Sequence, residues 1–220
     1  MITLALDAST YRGTVAVLDD ERVLVQSTAA MRGRDAELLM PAVDQALRAA
    51  GRGVHDVQRI VCGAGPGSFT SLRIAASLAK GIAVGCAIPL FAVSSLALIV
   101  AGNVSDGPRG ARRYFAVLDA LRGESYVAEF EHYAGAVRQI GAMRRVPSGE
   151  VTSVAESSGA RPVGPDQSDN WLPHARGVAL MTAALEDEGP VNVAAWEPIY
   201  GRMAEAQVKW EAAHGRTLPG

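Results

Sequence analysis

Gly63-Ala64-Gly65-Pro66-Gly67-Ser68-Phe69-Thr70 is the stretch on which the fold turns. The apolar run Ile60-Val61-Cys62 precedes it, and an alanine-rich helical pattern from Ser71 to about Val84 follows. The order is strand, glycine loop, helix. Glycine allows left-handed backbone and close approach of another backbone or a ligand. A helix N-terminus adds unpaired N–H groups and positive dipole potential, which suit an anion. The loop is therefore either a phosphate cradle or a tight turn that launches a functional helix.

Upstream, Ile2–Leu6, Thr14–Leu18 and Arg22–Gln26 read as three strands joined by short turns, an antiparallel meander. The first ends in Asp7-Ala8-Ser9-Thr10, a carboxylate and hydroxyls at a strand terminus. These either hold a metal-bound phosphate or merely bond their own turn. A helix is expected over Asp35–Ala50, with Asp35 as N-cap and Pro41 as a kink or as the start of the regular part. Gln58–Cys62 is the fourth strand, and Pro89–Val93 the fifth. Ser94 or Ser95 caps a short helix running to about Ala101.

On a helical wheel Leu38, Leu39, Met40, Ala42, Val43, Ala46, Leu47, Ala49 and Ala50 span an apolar arc of roughly 200°, about twice what one core-facing helix needs. Leu72, Ile74, Ala75, Ala76, Leu78, Ala79, Ile82 and Ala83 of the next helix also cover roughly 200°. One side covers the sheet. The surplus is covered either by other elements of this chain or by another subunit.

The turn-rich stretch 102–110 marks a boundary, dividing the chain into lobes 1–103 and 104–220. The second set begins with Tyr114–Leu118, turns at Asp119–Glu124 and returns over Ser125–Tyr133. This repeats the opening of the chain and points to a duplicated domain. Val137–Met143 is expected as a strand and Ser148–Ser157 as a short helix. Ser158–Pro173 reads as an irregular loop, Gly177–Asp187 as a helix and Glu197–Tyr200 as extended. Met203–Ala213 is expected as a final helix, one that can pack back on the first lobe.

The chain has 220 residues, 49% of them hydrophobic, a net charge of −2 and two cysteines. That is a globular composition without a disulfide framework, consistent with a reducing compartment. It carries no basic field for unaided nucleic-acid binding, and Arg32/Arg34, Arg109/Arg112/Arg113 and Arg144/Arg145 read as solvated surface. No signal peptide is expected at the N-terminus, and the apolar stretch around Phe91–Ala101 is too short to span a bilayer. No Walker lysine follows the glycine loop, and Ser68 occupies the third glycine position of a dinucleotide fingerprint. His55, His132, His174 and His214 form no ligand spacing, so no metal site is expected.

Leu6-Asp7-Ala8-Ser9-Thr10, Glu37–Pro41, Gly65-Pro66-Gly67-Ser68-Phe69-Thr70-Ser71-Leu72-Arg73-Ile74, Leu118–Tyr126 and Glu197-Pro198-Ile199-Tyr200-Gly201-Arg202 together resemble the bacterial TsaB (YeaZ) family, in order and spacing along essentially the whole chain. The resemblance implies an α/β chain of actin-like ATPase (ASKHA, ribonuclease H-like) fold, with two lobes built on five-stranded mixed sheets. It places the chain in the glycoprotease-like group without peptidase activity. The implied role is that of a non-catalytic subunit in forming threonylcarbamoyladenosine beside the tRNA anticodon. Its partners would be a TsaD-like catalytic subunit and a TsaE-like ATPase.

The catalytic subunit of that system holds a metal through two histidines four apart, and Gly33–Leu39 contains none. The chain departs from the family pattern at Asp35, Ser71, Ala75 and Leu121. The reading is thus a cytoplasmic scaffold, homodimeric when alone, touching tRNA only within the complex. It needs no cofactor, and takes ATP or ADP only weakly or within the complex. Its expected interface is Leu38, Leu39, Met40, Val43, Leu47, Leu72, Ala75, Ala76, Leu78, Ala79, Ile82 and Ala83. Asp7, Ser9, Thr10, Gly65, Gly67 and Ser68 would be a vestigial phosphate site. The competing reading is a self-sufficient ATP-binding phosphotransferase or ATPase of the same fold.

Overall fold

The computed structural model describes residues 1–31, 38–104, 111–200 and 214–215. The opening meander forms as expected: β1 (Ile2–Asp7), β2 (Arg12–Asp19) and β3 (Arg22–Ala30) pair antiparallel. α1 (Leu39–Ala49) then returns the chain to β4 (Arg59–Gly63), which lies parallel to β1. α2 (Phe69–Cys86) leads to β5 (Leu90–Val93), parallel to β4. The sheet order is β3-β2-β1-β4-β5. Parallel neighbours need crossover connections, and α1 and α2 supply them.

Side chains alternate across each strand. Leu4, Leu6, Val15, Val17, Ile60 and Cys62 pack with Leu39, Val43, Ala46 and Leu47 of α1 and Ala75, Ala79 and Ala83 of α2. Both helices therefore cover one face of the sheet. α1 starts later than the sequence pattern indicates. Its N-cap is Leu38, without a side-chain cap bond. Pro41 falls in the first turn, where its missing N–H costs nothing.

The opposite face presents Ala5, Ala16, Leu18, Val61, Phe91 and Val93 to α3 (Ser95–Ala101), every residue of which is buried. Beyond α3 lies a second sheet. β6 (Arg112–Asp119) and β7 (Glu124–Tyr133) form its hairpin. β8 (Ala136–Gln139) and β9 (Arg144–Pro147) pair with the two ends of β7, and β10 (Arg161–Val163) runs parallel to β6. α4 (Val151–Ser157) covers its far face through Val151 and Ala155, against Phe115, Val117 and Val127. A 3-10 helix at Ala175–Leu180 and α5 (Thr182–Glu188) complete the middle layer.

Several expectations change. The strand expected over Val137–Met143 stops at Gln139, and a separate strand resumes at Arg144 after Gly141. The loop expected over Ser158–Pro173 contains β10, a short edge strand where Pro162 is tolerated. The helix expected over Gly177–Asp187 divides into the 3-10 helix and α5. The two sheets fall on either side of residue 103, yet one hydrophobic cluster draws on both. Arg32, Arg34, Asp35, Glu37, Arg109, Gly201, Arg202 and the Met203–Ala213 helix lie outside the described residues.

Candidate functional site: the glycine loop and the face of α2

The end of β1 is fully internal. Asp7 is buried, and its Oδ1 accepts from Ser9 N at 3.0 Å and Ser9 Oγ at 2.8 Å. Its Oδ2 accepts from Ser95 Oγ at 2.5 Å. Ser95 Oγ in turn accepts from Gly65 N at 3.1 Å. Burial pushes the Asp7 carboxyl above its usual range, against the lowering effect of the Ser95 and Ser9 bonds. The neighbouring Cys62 thiol is also raised, first by burial and then by the Asp7 charge.

Glycines in the loop allow close packing onto this carboxylate. A Cβ on Gly63 would collide with Asp7 Oδ2, and one on Gly67 with the Ser9 carbonyl oxygen. The loop is then tied down by Ser68 N to Ser9 O at 2.7 Å, Ala64 N to Val93 O at 2.7 Å and Ser95 N to Gly65 O at 2.9 Å. Thr10 Oγ1 bonds the backbone of Arg12 in its own turn, and Ser68 Oγ pairs with Ser71 Oγ at 3.1 Å. Asp7, Ser9, Thr10, Gly65, Gly67 and Ser68 are thus brought together, but the Asp7 carboxylate and the Ser9, Thr10 and Ser68 hydroxyls already bond one another or Ser95, Arg12 and Ser71. Ser95 escaped the sequence reading because it lies 88 residues from Asp7 and looks locally like a helix cap.

The repeat at the start of the second sheet is geometric. Asp119 ends β6 as Asp7 ends β1, and its Oδ1 accepts from Leu121 N at 2.7 Å, as Asp7 Oδ1 accepts from Ser9 N. Asp7 sits opposite Thr14 on β2, and Asp119 opposite Ser125 on β7. Unlike Asp7, Asp119 is exposed.

The expected interface is split by the structure. Leu39, Val43, Leu47, Leu72, Ala75, Ala76, Ala79 and Ala83 are buried within the chain, so they are not surface for a partner here. Leu38 and Met40 are exposed at 42% and 54%, while Leu78 and Ile82 are half-buried. The open strip of α2 comprises Thr70, Ser77, Gly81, Val84 and Gly85, with Val84 70% exposed and, among the described residues, nothing within 4 Å of where a Cβ would sit at Gly81 or Gly85. α2 is long and apolar enough to cross a membrane by length and composition alone, with 33% of that window buried in the protein. A helix covering a sheet carries the same composition.

A segment the sequence reading assigned no role closes the other flank of α2. Val191 N bonds Leu90 O at 2.8 Å, and Val191, Val193 and Trp196 pack against the core under the helices. Ile199 N then donates to Ala64 O at 2.7 Å. Glu197 pairs with Lys80 at 3.1 Å and accepts from the Tyr200 hydroxyl at 2.7 Å. These two bonds, Tyr200 first, hold the Glu197 carboxyl below its usual range. The Arg73 guanidinium lies 4.4 Å from the Phe69 ring centroid and 5.5 Å from that of Tyr200. On a wheel at 100° per residue, Ala76 falls among Phe69, Arg73 and Lys80, on the side of α2 that this strap contacts, and it is buried.

Among the described residues no group of three or more His, Cys, Asp and Glu could hold a metal ion. Residues 31–165 match the family model described as TsaD, tRNA N6-adenosine threonylcarbamoyltransferase. The tRNA threonylcarbamoyladenosine biosynthesis protein TsaB of Escherichia coli is 34% identical over 60% of this chain, a match that spans 55% of that protein's length. TsaB of Bacillus subtilis is 29% identical over 96% of this chain and 98% of its own. Among solved structures, YeaZ from Pseudomonas aeruginosa superposes with a TM-score of 0.74 at 28% identity, covering 90% of this chain and 99% of that one.

Proposed function

The chain belongs to the family of TsaD, the tRNA N6-adenosine threonylcarbamoyltransferases, and groups within it with TsaB (YeaZ); we propose that it is the non-catalytic scaffold of a complex that forms threonylcarbamoyladenosine on tRNA. Its two five-stranded mixed sheets and helical layers are those of the actin-like ATPase fold. One observation carries the scaffold reading. At the end of β1, where a phosphate would be cradled, Asp7 already accepts three hydrogen bonds from Ser9 and Ser95, and the glycine loop packs directly onto it. The chain's own donors thus occupy the carboxylate that would hold a phosphate-bound cation, and the loop fills the space beside it.

In this reading the protein works through a surface. Ser77, Gly81 and Gly85 recur four apart on the open strip of α2, with Val84 beside them and Ile74, Leu78 and Ile82 along one edge. Small residues at that spacing let a second helix approach closely. The proposed partner on this strip, together with Leu38 and Met40, is a TsaD-like subunit, or a second copy when the chain is alone. A TsaE-like ATPase and tRNA join in the assembled complex, in the cytoplasm, and the lobes divide near residue 103.

Co-expression with a TsaD homologue followed by size-exclusion chromatography tests the proposal. A co-eluting complex that Gly81→Glu abolishes supports it, whereas two separate peaks overturn it. The competing reading, a self-sufficient ATPase, requires that the isolated chain bind ATP. Calorimetry at millimolar ATP decides this, and heat saturating at one site per chain would favour the ATPase.

A further inference from the structure

We propose that residues 172–199 belong to the first lobe, which makes the second sheet an insertion whose entry and exit Asn103 clamps together. The chain changes allegiance within a few residues. Up to Trp171 it is tied to the second sheet: Arg161 of β10 pairs with Asp169, Gly164 bridges Asn170, and the Trp171 ring lies 5.5 Å from that of Tyr114 in β6. From His174 onward its bonds reach the first lobe. His174 N donates to Leu98 O at 3.2 Å, and Ala175 N to the buried Thr14 hydroxyl of β2 at 3.0 Å. Arg176 reaches Gly102 O at 2.6 Å and Gln26 of β3 at 3.2 Å. Val191 N bonds Leu90 O of the edge strand β5, and Ile199 N bonds Ala64 O just after β4. The run thus begins over β2 and β3 on one face of the first sheet. It ends past β5, where Val191, Val193 and Trp196 pack against the core on the other face.

Apolar packing alone does not assign the run, because Ala175, Val178 and Leu185 sit in the cluster shared by both sheets. A buried charge points the same way as the bonds. Arg59 of β4 is 2% exposed, and its Nε donates to Thr3 Oγ1 at 2.7 Å. The carboxylate facing its Nη1, at 3.6 Å, is Glu186 of α5. A guanidinium held inside the first lobe thus takes its counter-charge from this run, and a buried charge left without one is strongly destabilising. At the crossing, Asn103 Nδ2 donates to Ile99 O and to Leu172 O, both at 2.8 Å. One nitrogen serves two carbonyls only where it carries two hydrogens, so the carboxamide is required. Gly102 and Gly177 let the two backbones touch there: a Cβ on Gly102 would strike His174, and one on Gly177 would strike Gly102 N. Adjacent ends are what one domain carried inside another requires. The second sheet therefore hangs on two connections clamped side by side and does not swing on a single linker at 103. This assignment is independent of what binds α2.

Hydrogen exchange of the full chain in sub-denaturing urea tests both parts. Val43→Ala opens a cavity under α1, which packs on β2 and β3 at the far side of the sheet from β5. Val127→Ala opens one against α4 in the second lobe. Val43→Ala should speed exchange of the His174 and Val191 amides as much as those in the middle of β4, by about tenfold or more, and those of β6 by less. Val127→Ala should speed the β6 amides and leave His174 and Val191 within about twofold. If His174 and Val191 follow β6 instead, or respond equally to both variants, the run is not part of the first lobe. Asn103→Ala removes the clamp's donors, and Asn103→Asp sets a carboxylate against both carbonyls. Each should speed His174 exchange by about tenfold while the middle of β4 and of β6 stays unchanged. An unchanged His174 rate in either variant overturns the clamp. So does a parallel rise in both sheets, which marks general loosening.

Discussion

Ser95→Ala probes directly whether the end of β1 is a filled lock. The Ser95 hydroxyl donates to Asp7 Oδ2 at 2.5 Å and accepts from Gly65 N–H at 3.1 Å, and the residue is fully buried. Removing it strands a carboxylate oxygen and a backbone N–H. An unsatisfied buried group costs about 1–3 kcal/mol, more when charged, so the pair should cost about 3 kcal/mol. The vacated space is that of one oxygen atom, at the lower limit for a water molecule to enter. For a chain of this size the loss corresponds to a fall in Tm of about 6–12 °C. Urea unfolding followed by circular dichroism measures it. Ser94→Ala is the control: its side chain makes no cap bond, and the change should stay within about 0.5 kcal/mol.

The loss should also depend on pH. Burial raises the folded pKa of Asp7 above 3.8, so native protein holds that proton more tightly than unfolded chain. The stability this contributes is present below pH 3.8 and is lost as pH rises through the folded value. Deleting the Ser95 donor weakens the ionised form further, so the cost of Ser95→Ala should be larger at neutral pH than near pH 4. A loss below about 1 kcal/mol at pH 7, or equal losses for the two serines, would refute the lock and reopen the phosphate reading.

The same geometry yields other expectations. Gly67→Ala drives a Cβ into the Ser9 carbonyl and should cost about 3 kcal/mol or more in denaturant titrations, since the nearest neighbour is a backbone oxygen that a rotamer change cannot move. The His174 imidazole is held down to about 4 by burial and then by Arg176, and it accepts from Arg176 N–H. Its contribution is therefore present above pH 6.5 and drains away as pH falls toward 4; His174→Asn, which keeps an acceptor, should flatten that part of the Tm–pH curve. Gly81→Glu should disrupt association while leaving Tm within a few degrees, measured by sedimentation and calorimetry on one sample. Ala76→Glu should instead lower Tm, because it places a charge at a buried position.

Local patterns made much of the fold legible. Alternation and turn residues located β1 to β7, because those strands are long or bounded by glycine, proline and acidic turns. β9 and β10 were not legible. Each is only a few residues long, and their pairing with β7 and β6 is a tertiary fact. The candidate phosphate residues were correctly seen as a group, since Asp7–Thr10 and Gly65–Ser68 end neighbouring strands of a strand–loop–helix unit. What fills the group was invisible, because Ser95 arrives from the far end of β5. The strap was likewise hidden: nothing local in Glu197-Pro198-Ile199-Tyr200 names Lys80, Arg73 or Ala64 as its contacts.

The apolar arc of α2 shows why composition alone cannot assign an interface. Its surface has three claimants. Ala75, Ala79 and Ala83 meet the sheet, and their small size lets the helix lie close to β4 and β1. Ala76, on the side of α2 that the strap contacts, is buried, so one part of the surplus is met within the chain. Ile74, Leu78 and Ile82 are half-covered against the same core. What remains is narrow, and its chemistry differs from the arc as a whole: serine, threonine, two glycines and one valine. A helix presented to water for its own sake gains stability from alanine, lysine or glutamate at such positions, and each glycine costs about 1 kcal/mol relative to alanine. Among the described residues, nothing lies within 4 Å of where a Cβ would sit at Gly81 or Gly85. A closely packed helix of another subunit, as proposed for this strip, would supply a constraint that keeps them bare.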